Sequence, residues 1–194
     1  PPRKRLGFRC AGSSESLLAW RSPNHFRADL SATPRRGIMM ELDCSQASKV
    51  IGCGLSNMAE LTLRLARMAD APTIGRLSRD LIEYGLRWRW TPRRIEASIR
   101  APNVNVLVAC VHQNIAGFAI MRYGDDDAHL DLLAVAPPYR RLGIGRQLVE
   151  WLEECAAVAG IFNIALEVRE RNDEARLFYE QMGYRPLVQL RGYY

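Results

Sequence analysis

Between Arg140 and Arg146 the sequence reads RRLGIGR, three arginines and two glycines within seven residues. These residue types suit the holding of an anion. Gly143 and Gly145 have no Cβ, so a phosphate can approach the backbone N–H groups there. A helix starting at Ile144 leaves its first N–H groups unpaired and points the positive end of its dipole at that phosphate. Arg140, Arg141 and Arg146 add guanidinium groups that fork onto phosphate oxygens. Taken alone, the spacing leaves two readings open. It is a phosphate loop, or it is a helix start whose glycines serve the turn and whose arginines serve solubility. A dinucleotide fingerprint would carry a third glycine where Leu148 stands, and the Gly-Lys-Ser/Thr of a nucleoside-triphosphate loop is absent.

The elements that must position this loop follow from periodicity. Leu130 to Val135 is an apolar, strand-like run that stops at Pro137-Pro138. From Ile144 the apolar positions Leu148, Trp151, Leu152, Cys155 and Ala159 recur at helical spacing, and Gly160 ends that helix. Ile161–Val168 is the next strand. A strand-helix-strand order implies parallel neighbours, with a ligand at the carboxyl end of the first strand. Upstream, Leu61, Leu63 and Leu65 alternate as a strand, and Asp70 and Thr91 each stand before a helix with proline in its first turn. Val104–Val111 and Ile115–Tyr123 are paired strands around a turn at His112–Asn114. An Asn172-capped helix, Gly183 and a strand from Tyr184 to Leu190 complete the order. Between the first two helices, Tyr84, Leu86, Trp88 and Trp90 interleave with Arg87 and Arg89; they line a substrate groove or cap the core where the helices meet.

Composition narrows the function classes. The formal charge of +6 is concentrated in residues 1–57, which hold nine Lys and Arg against four Asp and Glu. The rest holds eighteen against seventeen, which argues against a basic groove for nucleic acid. No apolar run approaches the ~20 residues that span a bilayer. The five cysteines, at 10, 44, 53, 110 and 155, form no CxxC pair, so no zinc site or disulfide framework is expected. Cys110 and Cys155 fall at apolar positions and read as small core residues. Residues 1–57 mix Arg with Ser and Pro, lack sustained periodicity and contain both lysines, Lys4 and Lys49. They read as a disordered or non-native extension, either a transit peptide or an over-extended reading frame upstream of Met58. Their removal is expected to leave activity and melting temperature nearly unchanged.

Several motifs in order carry a family resemblance. Arg140-x-x-Gly143-x-Gly145, preceded by Ala134-Val135-x-Pro137-x-Tyr139, resembles the acyl-CoA pyrophosphate loop of the GNAT acetyltransferase superfamily. Leu166-Glu167-Val168-Arg169, Asn172-x-x-Ala175-x-x-Phe178-Tyr179-Glu180, Gly183-Tyr184 and Gly192-Tyr193-Tyr194 are similar to its ribosomal-protein-alanine N-acetyltransferase branch. The resemblance covers Leu61 to Tyr194. It implies an α+β (α/β mixed) fold: a GNAT-like mixed central β-sheet flanked by helices, with the acyl-CoA loop at the end of the fourth strand counted from Leu61. The domain is then 58–194, short of the family's last strand.

The same resemblance implies acetyl-CoA as co-substrate, held by the backbone of Leu133 and Val135, by Arg140, Arg141, Gly143, Ile144, Gly145 and Arg146, and by Asn172. The glutamate of the Leu-Glu-Val-Arg motif takes the amine proton in that branch, which points to Glu167. By alternation Glu167 shares a strand face with Asn163 and Ala165, where partial desolvation would raise its pKa. The alternative is a surface pair with Arg169 or Arg171. Tyr179, two helical turns after Asn172, is the candidate acid for the leaving thiolate. Its alternative is a core tyrosine, although the stripe of Ala175, Phe178 and Met182 assigns the packing to Phe178. His129 and Asp131 form a reserve base. The expected reaction is transfer of acetyl to a primary amine, on a small molecule or a protein or peptide N-terminus, by direct attack in a ternary complex. It is expected in the cytoplasm, with no metal, nucleic acid or membrane involved. The alternatives are a non-catalytic acyl-CoA-binding regulatory module and a small-molecule amine acetyltransferase; a module would not need Glu167 and Tyr179.

Overall fold

A computed structural model describes residues 17–22, 49–50 and 61–190. In chain order the elements are β1 (Leu17–Arg21), β2 (Lys49–Val50), β3 (Leu61–Leu65), α1 (Ala71–Leu81), α2 (Pro92–Arg100), β4 (Val104–Val111), β5 (Asn114–Tyr123), β6 (Asp127–Val135), α3 (Ile144–Val158), β7 (Asn163–Arg169), α4 (Asp173–Gln181) and β8 (Arg185–Leu190). The sheet order is β2-β3-β4-β5-β6-β7-β1-β8, and the β6–β7 pair is parallel while the others are antiparallel.

Each face of the sheet has its own core. Ile74 of α1 and Ile95 of α2 pack with Val106, Val108, Phe118, Ile120 and Leu132 on one side. Leu148 and Leu152 of α3 and Tyr179 of α4 pack with Ala119, Met121, Leu130 and Leu166 on the other. Burial of both faces explains why β4 and β5 read as continuous apolar runs rather than alternating ones. Cys110 and Cys155 belong to these cores, on opposite faces.

Three details differ from the sequence reading. β6 begins at Asp127, three residues before the apolar run, because Asp127–Leu130 pairs with Asn163–Leu166. Asp70 makes no side-chain cap on α1; its carboxylate accepts from the Arg67 N–H at 2.6 Å and grips the Arg64 guanidinium at 2.7 and 3.0 Å. Most consequentially, part of the 1–57 stretch is inside the sheet. β1 lies between β7 and β8, antiparallel to both, and Trp20 is 1% exposed. The rest of that stretch apart from Ser22 and Lys49–Val50, with Met58, Cys10, Cys44, Cys53 and the Gly192–Tyr194 ending, lies outside the described residues. No helix among the described residues is long and apolar enough to cross a membrane.

Candidate active site

The glycine loop begins where β6 runs out at Val135. Pro137–Tyr139 makes a single 3-10 turn, and Arg140 Nε donates back to the Val135 carbonyl at 3.1 Å. Arg141 (φ 64°) and Gly143 (φ 76°) both adopt the left-handed region, which reverses the chain into α3. The Gln147 N–H bonds the Gly143 carbonyl at 3.1 Å, so the amides of Ile144, Gly145 and Arg146 have no partner within the helix. The Ile144 side chain is buried in the core and contributes to the turn through its N–H alone. A Cβ on Gly145 would meet the Phe178 ring no closer than 3.6 Å, an ordinary contact. Internal packing therefore does not demand glycine there. Arg140, Arg141 and Arg146 are all exposed around this mouth.

Above the loop the sheet opens. The register between β5 and β6 shifts at Asp131, where Met121 faces Leu130 but Ile120 faces Leu132. The bulge turns the strand over: Leu130 belongs to the α3 side and Leu132 to the α1–α2 side. The parallel ladder to β7 ends at the same place, with Leu130 opposite Leu166. Beyond it β6 and β7 diverge and leave a cleft of about 770 Å³ between them. The eleven residues expected to act as catalytic base and acid or to hold the cofactor all line this one cleft, as does Asp131 of the reserve base, whereas His129 is not part of its lining. Leu133 and Val135 supply its β6 wall and the glycine turn its floor. Asn172 and Tyr179 come from α4, and Glu167 from β7.

Alternation on β7 sends Leu166 and Val168 into the α3-side core and turns Glu167 to the opposite face, toward α1 and α2. Glu167 is exposed there, so the desolvation expected of it is not present. Asn172 Oδ1 accepts from the Ala175 N–H at 3.1 Å, which caps α4 and leaves its amide N–H2 as donor.

The acetyltransferase (GNAT) family profile matches residues 64–184, from β3 to the start of β8. The chain belongs to the GNAT family. The ribosomal protein bS18-alanine N-acetyltransferase of Escherichia coli strain K12 is 39% identical over 80 residues, which is 41% of this chain and 54% of that protein. The protein of the same name from Haemophilus influenzae is 35% identical over 83 residues, 43% of this chain and 56% of that one. The chain thus spans about half the length of the curated relatives it matches. Among solved structures, the E. coli ribosomal-protein-S18-alanine N-acetyltransferase superposes with a TM-score of 0.56 at 26% identity, covering 63% of this chain and 76% of that one. The PaiA N-acetyltransferase of Thermoplasma acidophilum, in complex with coenzyme A, gives a TM-score of 0.59 at 20% identity over 63% of this chain and 88% of that chain, a likeness of fold.

Within this GNAT cleft, the electrostatics separate the titratable groups. Tyr179 is 7% exposed and burial pushes its phenol well above the ordinary value, so it stays protonated. The expected division of labour on α4 is thereby corrected. Tyr179 is the more deeply buried ring, stacked edge-on between Phe178 at 5.0 Å and Tyr184 at 5.6 Å, while Phe178 is half-buried beside Gly145. Tyr179 both packs and lines the cleft. The reserve base is engaged elsewhere. Asp131 accepts from both Arg122 Nε (3.2 Å) and Arg122 Nη2, and its Oδ1 lies 2.8 Å from His129 Nδ1. Burial pushes Asp131 up, but the His129 and Arg122 hydrogen bonds more than offset it and hold it below the usual carboxylate range. Trp88 and Trp90 are half-buried, with Arg79 over the first at 5.5 Å and Arg94 over the second at 3.9 Å. Among the described residues, no group of three or more His, Cys, Asp or Glu is placed to hold a metal ion.

Sequence reasoning missed the far wall of the cleft, Leu81 and Ile82 at the end of α1, and the buried Glu83 beside them. A helix end that faces the cleft from across the sheet leaves no local pattern, and Glu83, three residues after Asp80, reads as one more polar residue at a helix terminus.

Proposed function

We propose that this chain is an acetyl-CoA-dependent N-acetyltransferase acting on a primary amine at a protein or peptide N-terminus. The observation that carries the proposal is the convergence of Glu167 and Tyr179 on a split between two parallel strands whose floor is an amide-lined glycine turn. The fit to acetyl-CoA rests on that floor. The unpartnered amides of 144–146 and the three exposed arginines suit a diphosphate, and glycine at 145 keeps a side chain away from those amides. The open edge of β6 at Leu133 and Val135 suits the amide-bearing arm that follows it, with the Asn172 amide on the opposite wall. The thioester supplies an activated acyl group. The residues of this chain supply position and proton handling.

In this reading the amine enters from the α1–α2 face, past Ile82, because Glu167 faces that way. Glu167, directly or through a water, takes the proton from the ammonium and frees the nitrogen to attack. Holding the amine and thioester carbonyl together accounts for much of the rate. Tyr179 meets the sulfur as an O–H donor, stabilises the charge that develops as the C–S bond breaks, and gives up its proton to the departing thiolate. The catalytic unit proposed is 58–194 together with β1, working in the cytoplasm, where acetyl-CoA and new N-termini coexist.

The similarity to ribosomal-protein-alanine N-acetyltransferases supports a protein acceptor. Coenzyme A release measured against Ala- and Ser-starting peptides, free amino acids, polyamines and small amines tests the reading. Faster release with the peptides is expected. Turnover confined to small amines would replace the acceptor, and coenzyme A binding with no turnover on any amine would make the domain an acyl-CoA-binding module. Glu167→Gln is expected to lower kcat/KM by about 100-fold near pH 7 and to recover part of that loss at high pH, where the amine is already neutral. A pH-independent defect would remove Glu167 as base.

A further inference from the structure

Glu83 is a carboxylate that no step above uses, and it is 7% exposed. Its Oε1 accepts from the Arg89 N–H at 2.8 Å; its Oε2 accepts from the Trp90 N–H at 3.1 Å and the Ser78 hydroxyl at 3.2 Å. Ser78 itself is fully buried. A carboxylate is costly to bury, and this one is held by three neutral donors at once. The effect is to close residues 83–90 into a loop pinned to the last turn of α1. Both ends of that turn are tied. The Ile82 and Glu83 N–H groups return to the Ser78 carbonyl at 2.9 and 2.8 Å, and the Ile82 carbonyl, unpaired within the helix, accepts from Arg169 Nη2. Arg169 lies on β7 two residues after Glu167, on the same strand face, and both line the cleft.

We infer that Glu83 and Arg169 together are positioning residues that set the gap between the 82–90 loop and Glu167, and so govern how the amine is seated. Arg169 fixes the end of α1 to the strand that carries the base. Glu83 then fixes the loop to the end of α1. The loop presents Tyr84, 83% exposed, and Leu86 outward, while the Trp88 indole donates to the Trp90 carbonyl at 3.1 Å and stiffens its returning limb. The donor floor lies at the other end of the cleft, around Gly143, so a change at Glu83 is felt by the amine and not by acetyl-CoA. The inference rests on the acetyltransferase reading, and it specifies the part of the site that selects the acceptor.

The test compares wild type, Glu83→Ala and Glu83→Gln in the full chain, with steady-state kinetics on the best peptide and hydrogen exchange at the Arg89 and Trp90 amides. Glu83→Ala is expected to raise the amine KM about tenfold while the acetyl-CoA KM stays unchanged, because three donors lose a charged acceptor. Glu83→Gln, which keeps one acceptor oxygen, should fall between. Exchange at the two amides should quicken in the same order. If Glu83→Ala does not fold, the Gln variant carries the comparison. Equal rises in both KM values, or quickened exchange with an unchanged amine KM, would overturn the inference. Absence of any acetyl transfer by wild type would instead defeat the acetyltransferase reading, and the exchange data would still report whether Glu83 holds the loop.

Discussion

Tyr179 has to satisfy two demands with one side chain. Its ring fills space between Phe178 and Tyr184, and the same residue lines the cleft. Tyr179→Phe keeps the ring and removes only the donor. It is expected to lower kcat by about 100-fold, in the range of a lost general acid, with the acetyl-CoA KM and the melting temperature nearly unchanged. An unchanged kcat would return Tyr179 to the core alone. At this scale the sequence was legible in type and spacing. Glu167, Asn172 and Tyr179 were named from their neighbours, and all three face the cleft. The exposure of Glu167 was not legible, because it depends on where β6 leaves β7, a contact between residues as far apart in the chain as Leu130 and Leu166.

At the scale of elements, β1 is the instructive case. Leu17–Arg21 is five residues long and sits in a stretch whose composition reads as unstructured. Its pairing with both β7 and β8 is long-range, and nothing local announces it. The strand that holds Glu167 is paired along its outer edge by β1, with Ala19 opposite Glu167. Trp20→Ala is therefore expected to cost about 3–5 kcal/mol, as for other large buried aromatics. Deleting residues 1–22 should lower the melting temperature measurably and loosen β8. A deletion variant that melts with wild type in calorimetry would show that β1 adds nothing to the sheet. The β6 bulge behaves in the same manner. The apolar run Leu130–Val135 marks a strand, but its switch of faces at Asp131 is imposed by two neighbours, not by its own sequence.

The whole molecule responds to pH at both ends of the range. Asp131 and Asp70 ionise at lower pH when folded than when unfolded: burial pushes each up, but His129 and Arg122 in the first case and Arg64 and Arg67 in the second more than offset it. Their contribution to stability is complete above the unfolded aspartate value of about 3.9 and is lost as pH falls through the depressed folded values. Tyr179 and Tyr184 shift the other way. Burial raises both, and the nearby Glu153 carboxylate, 2.7 Å from the Tyr184 hydroxyl, raises the second further. Their stabilisation is complete below the unfolded tyrosine value of about 10 and declines above it, where the unfolded chain ionises first. Melting temperature scanned against pH should therefore fall at the acid end and again beyond about 10. The double variant Tyr179→Phe, Tyr184→Phe should flatten the alkaline limb; an alkaline fall of undiminished slope would assign that limb to other groups.

The sequence by itself determined the parts written in local pattern. Helical and strand periodicity set the element order from Leu61 onward, and the glycine–arginine turn with its two downstream motifs picked out residues that line a single cleft. Those signals are legible because an amide-lined turn and a two-turn spacing on a helix are properties of a few consecutive residues. Only the tertiary structure decided which strand lies beside β7, where the sheet splits, and which side chains close the α1 side of the cleft. Each of these depends on contacts between residues far apart in the chain: Trp20 against the α3-side core, Leu130 against Leu166, Arg169 against the Ile82 carbonyl.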